Sequence, residues 1–133
     1  MTPEAARELA AARRHLSDAK AIAGRDIAYA AAREAYLAAF HAAEAFLHDR
    51  TGNLAKTYRG LRTEFARLAR SEPRIDQSFS RFLANAYEVK SIADYGTEPA
   101  SLSPEAANAV IDTAERMIDA IAILLGSNDD PMS

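Results

Sequence analysis

The stretch from Ile27 to Leu47 constrains this chain most, because it reads as a helix that is apolar over nearly its whole circumference. Its large side chains, Ile27, Tyr29, Tyr36, Leu37, Phe40, Phe46 and Leu47, are separated mainly by alanines. A helix with no continuous polar face has to be covered by neighbours on several sides, so this one is expected at the centre of a helical bundle. The remaining composition agrees. Of 133 residues, 31 are alanine, the best helix former, and runs of Val, Ile and Thr suited to strands are scarce.

Punctuation around this segment predicts four more helices. The first opens at Thr2-Pro3-Glu4, with a capping hydroxyl, a proline at the first helical position and an acid near the positive end of the helix dipole. Its apolar line runs Leu9, Ala12, Leu16, Ala19 and Ala23, and Gly24 offers a left-handed stop. Asp26 is the expected cap of the central helix, which should reach about Arg50 before Gly52. Thr57 should cap a third, shorter helix carrying Leu61, Phe65 and Leu68 and giving way near Pro73, since the residue before a proline avoids helical geometry. Ile75, Phe79, Phe82, Leu83, Ala86 and Tyr87 form the stripe of a fourth. Ser103-Pro104-Glu105 starts a fifth, which ends at Gly126. The expected fold is all-α: an up-and-down bundle of four main helices and one short helix. It forms a single domain over residues 1–126, and the polar tail 127–133 is expected to lack regular structure.

Several function classes fall away. There is no cysteine, hence no disulfide, thiol chemistry or cysteine-based zinc site. No run of about 18 apolar residues is present and no signal-peptide pattern opens the chain, so a cytoplasmic location without membrane contact is expected. A glycine-rich phosphate loop and a Gly-x-Ser-x-Gly elbow are also missing. The net charge of −3 conceals an asymmetry. From Lys56 to Arg81 seven basic residues face three acidic ones, while the remainder is acidic. That segment is a candidate anion-binding patch, or else a solvated helix face.

On the central helix, Glu34, His41, Glu44 and His48 lie close to one line, because seven residues make nearly two turns. Buried ionisable groups need partners, so this stripe must line a cavity or meet complementary groups. A metal site on His41, Glu44 and His48 is allowed by spacing. Di-iron bundles, however, pair Glu-x-x-His motifs, and none occurs here, so hydrogen-bonded histidines without a metal or other cofactor are the expectation.

Three segments resemble a known family. Arg33-Glu34-Ala35-Tyr36-Leu37-Ala38-Ala39-Phe40-His41-Ala42-Ala43-Glu44-Ala45-Phe46-Leu47 resembles the second helix of HEPN-domain proteins, which often reads approximately YYAAFHAAEALL. Lys56-Thr57-Tyr58-Arg59-Gly60-Leu61-Arg62 is similar to that family's Lys-Thr-His-x-Gly-hydrophobic segment. Arg81-Phe82-Leu83, followed by Tyr87, Lys90 and Ala93-Asp94-Tyr95-Gly96, is close to its LYxxRxxADY pattern.

The resemblance implies a commonly dimeric bundle. The family includes metal-independent ribonucleases and toxins, often paired with a minimal nucleotidyltransferase as antitoxin, and RNA-binding or accessory modules that have lost catalysis. Catalytic members carry an arginine and a histidine separated by four to six intervening residues in a dimer cleft: the histidine moves a proton and the cation stabilises the charged transition state. Here Lys90 stands where that arginine would be, Tyr95 is five positions on with no histidine near, and Tyr58 occupies a position where relatives often carry histidine. Lysine lacks the planar bidentate fork of arginine, and a tyrosine with its usual pKa of about 10 is a poor base at neutral pH. The leading expectation is thus a dimeric accessory or binding module contacting RNA, nucleotide or a nucleotidyltransferase. Glu44, Lys56, Tyr58, Arg59, Arg62 and Asp94 are its candidate binding residues. One alternative is a divergent metal-independent endoribonuclease using His41, Lys90 and Tyr95; the other is a structural helical adaptor.

Overall fold

The computed structural model describes residues 1–85 and 102–126. Helix α1 spans Pro3–Ala23, α2 Ala28–Thr51 and α3 Tyr58–Ala69; α4 is described over residues 78–85, and α5 spans Pro104–Leu125. The described residues contain no strand. This is the expected all-α bundle. Ala86 and Tyr87 of the predicted fourth stripe, and the tail 127–133, lie outside the described residues.

Three predicted caps form. The Thr2 hydroxyl accepts from the Ala5 N–H at 3.0 Å, Thr57 from the Gly60 N–H at 2.9 Å, and Ser103 from the Ala106 N–H at 3.0 Å. Each satisfies an amide that the helix itself leaves without a carbonyl partner. Gly52 and Gly126 close α2 and α5 in the left-handed region, with φ of 79° and 78°. The turn between α1 and α2 departs from expectation. Gly24 stays right-handed at φ −65°, and Asp26 takes the left-handed conformation at φ 60°. Ile27 becomes the N-cap of α2, with no side-chain hydrogen bond. Asp26 reverses the chain instead of capping the helix, a conformation that Asp tolerates better than most residues.

Helix α2 is the spine. It packs on α1, α3 and α5, and its Tyr36 ring lies 5.3 Å from Phe82 on α4. Ala31, Ala35, Ala38, Ala39, Ala42 and Ala45 are fully buried along it, which lets neighbouring backbones approach closely. Phe46 meets Phe65 of α3 edge-on at 5.6 Å. From α5, Met117, Ile118 and Ile121 are completely buried; each such side chain contributes roughly 1.5–3 kcal/mol by leaving water.

The directions of α1, α2 and α5 follow from side-chain pairs. Thr2 meets His48 and His15 meets Glu34, so α1 and α2 run antiparallel. Lys20 reaches Glu115 at 2.7 Å, while Leu9 and Leu125 line one cavity, so α5 is antiparallel to α1.

Candidate functional site

The polar stripe of α2 is answered by a complementary line on α1. His48 Nδ1 lies 2.8 Å from Thr2 Oγ1, His41 Nδ1 2.6 Å from Glu8 Oε2, and His15 Nδ1 2.7 Å from Glu34 Oε2. The His15 and His41 rings stack between these pairs, with centroids 5.0 Å apart and planes 6° from parallel. Glu8 and His15 are seven residues apart on α1, as Glu34 and His41 are on α2. Two antiparallel helices with that same spacing pair each glutamate with the opposite histidine. The repeated Glu-then-His interval was the sequence signal for Glu8 and His15, which motif reading passed over. The stripe is half-buried at a helix–helix seam, and His41, Glu44 and His48 each turn to a different partner instead of converging on one point.

Glu44, beside the Glu8–His41 end of this ladder, turns its carboxylate to the segment joining α2 to α3. Its carboxylate accepts from the Ala55 N–H at 3.1 Å. Burial pushes its pKa up to about 7, the Ala55 hydrogen bond opposes that rise, and the nearby Glu8 charge adds to it. Two adjoining cavities meet at Glu44. One, of about 500 Å³, is lined by Glu44, Ala55, Lys56, Thr57, Tyr58 and Arg59. The other, of about 250 Å³, shares Glu44, Ala55 and Tyr58 and extends to Glu8, His41 and the apolar walls of Leu37 and Phe40. The Tyr58 ring sits 4.7 Å from Phe40 and remains 38% exposed at the mouth, so an aromatic face is offered to whatever enters.

Thus His41, Glu44, Lys56, Tyr58 and Arg59 come together in one cleft. Arg62 sits half-buried on α3 and does not line either cavity. Lys90, Asp94 and Tyr95 lie outside the described residues.

The basic segment divides in two. Arg67 pairs with Glu64 at 2.7 Å on one exposed face. Buried Glu72 draws in Arg74 at 2.7 Å and Arg50 at 3.2 Å; the Arg74 side chain and amide, then Arg50, hold its pKa down to about 2. Lys56 and Arg59 are exposed at the cleft, with no hydrogen bond or ion pair to any described residue. Arg67 and Arg74 are thus answered by local carboxylates, and Lys56 and Arg59 are the cations of the segment that line the cleft.

Chemically, the cleft combines three things. The two exposed cations attract an anion. The Phe40–Tyr58 wall suits a planar ring. A carboxylate-held imidazole stands beside a carboxyl group that exchanges its proton near neutrality, which is the equipment of proton transfer. No helix among the described residues is long and apolar enough to cross a membrane.

No curated protein matches the sequence. The family model described as HEPN domain matches residues 5–124, nearly the whole chain and every element that builds the cleft. The chain belongs to the HEPN domain family, and is a helical module of that nucleotide- and RNA-related group.

Proposed function

We propose that this chain is a HEPN binding module that receives the phosphate backbone and a base of RNA, or a nucleotide, in the cleft between α2 and α3. The observation that carries the reading is the pair of exposed cations, Lys56 and Arg59, which have no partner among the described residues and stand beside the Phe40–Tyr58 wall. Phosphate contacts give affinity, and stacking on an aromatic ring tolerates any base. Arg62, half-buried on α3, and Asp94, outside the described residues, are further candidate binding residues in the same proposal. The working form is a homodimer in the cytoplasm, with a minimal nucleotidyltransferase as partner; this part rests on family membership. The test is binding of single-stranded RNA by fluorescence anisotropy across a salt series. Reversing both charges, Lys56→Glu with Arg59→Glu, is expected to weaken binding at least tenfold and to lower the salt slope by about 2. Unchanged affinity and slope would sink the reading.

A second reading is favoured by the Glu8–His41 pair at 2.6 Å. A carboxylate that holds one imidazole nitrogen orients the ring for proton transfer at the other, and Glu44 in the same cavity has its pKa near 7. This supports a divergent, metal-independent endoribonuclease using His41, with Lys90 and Tyr95 completing the site. Cleavage of bulk RNA in EDTA, lost in His41→Ala and in Lys90→Ala, is the expected result. Absence of cleavage under conditions where an active relative cuts leaves the binding module alone.

A further inference from the structure

On the far side of the His15–His41 stack from the cleft, His15, Asp18 and Glu34 converge: one ligand-type atom from each lies within 4.8 Å of the other two. Glu34 already holds His15 Nδ1 at 2.7 Å, and Asp18 stands one turn beyond His15 on the same helix. We propose that these three residues form a site for a single divalent transition-metal ion of the Zn2+ type, which ties α1 to α2.

Four features carry the assignment. The set is not merely acidic: one imidazole and two carboxylates from two helices match the mixed nitrogen and oxygen preference of zinc-like ions, whereas Mg2+ and Ca2+ favour oxygen alone. Asp18 makes no hydrogen bond or ion pair with any described residue, although it stands beside a second carboxylate. One imidazole offsets at most half of that paired negative charge, and a dication offsets it fully. The ring of His15 is also pre-oriented by its parallel stack on His41, whose own Nδ1 is fixed by Glu8. Finally, the required movement is small. Metal–ligand bonds of about 2.1 Å in tetrahedral geometry place two ligand atoms about 3.4 Å apart. The His15–Glu34 contact therefore opens by less than an ångström, and the wider separations, at most 4.8 Å, close by at most about 1.4 Å, within the reach of half-exposed and exposed side chains. Three protein ligands leave a fourth position for water.

This site is separate from the Lys56–Arg59 cleft, and its test reads no RNA. Purified full-length protein, stripped with chelator, would be titrated with ZnCl2 by calorimetry. One ion per chain with micromolar Kd is expected. His15→Ala and Asp18→Asn should each weaken binding at least tenfold, while His48→Ala leaves it unchanged. Asp18 is exposed, so Asp18→Asn leaves the packing intact; circular dichroism checks each fold. Titration with Co2+ supplies a second readout: a visible absorption band that appears in the parent protein and is lost in Asp18→Asn. Zn2+ binding that survives both substitutions, or no saturable binding below about 1 mM, would overturn the proposal.

Discussion

Glu34 and Glu44 lie ten residues apart on the same helix, yet α2 puts them to opposite uses. Glu34 sits in the α1–α2 seam and is answered by His15 at 2.7 Å. Glu44 faces the α2–α3 cleft, has a single backbone amide as its partner, and is desolvated until its pKa reaches about 7. In the seam, the three histidines each have an oxygen partner across the interface. In the cleft, Lys56 and Arg59 have none among the described residues. Polar groups that complete one another specify the register of two helices. Polar groups left incomplete on an apolar floor hold the free energy that a ligand can recover.

The largest test removes a core contact between α2 and α3. Phe46 is fully buried against Phe65, with the Arg50 guanidinium 5.1 Å above its ring. Phe46→Ala is expected to cost about 3–5 kcal/mol in denaturant unfolding and to weaken cleft and seam together. A cost below about 1 kcal/mol would mean that α2 is not the spine.

Glu44→Gln sharpens the contrast next. Between the unfolded value of 4.5 and about 7, the folded carboxyl keeps a proton that the unfolded chain has lost. The folded state then binds more protons, so stability falls as pH rises through that window and is level above it. Glutamine can still accept the Ala55 N–H but carries no charge to desolvate. The variant should match the parent below pH 4.5 and exceed it by about 1–2 kcal/mol at pH 8, a figure discounted because the group is half open to water. Urea unfolding at the two pH values checks this, and equal stability at both would show that Glu44 is solvated. Glu72 has the opposite sign: its lowered pKa gives stability that is present above 4.5 and lost as pH falls toward 2.

The smallest effect belongs to the seam. Glu8→Gln keeps a hydrogen-bond acceptor for His41 but removes the charge, at a partly exposed contact. A loss of about 0.5–1 kcal/mol at pH 7 is expected by thermal unfolding. A much larger loss would make the ladder, rather than the apolar core, the main fastening of α1.

How far the sequence could be read depends on the range of the interaction. Thr2, Thr57 and Ser103 declared their caps because each accepts from an amide three residues away. The alanine-rich, all-round apolar character of α2 required a central position, since no other place covers such a surface. Lys56, Tyr58 and Arg59 could be named as one cluster because they sit together at the start of α3. Glu8 was missed because its meaning depends on a residue 33 positions away. The expected Asp26 cap failed for a similar reason. The reversal between two packed helices needed one left-handed residue, and Asp26 supplied it.

The helices, the caps at Thr2, Thr57 and Ser103, the absence of thiol chemistry and the family were legible in the chain, because they follow from composition, short-range periodicity and capping. Packing had to decide that His41 meets Glu8, that His15 and Asp18 approach Glu34, and that Lys56 and Arg59 line the cleft while Arg67 and Arg74 meet carboxylates. Those outcomes depend on the register of antiparallel helices and on which carboxylate each cation reaches, and neither is written in any one stretch of chain.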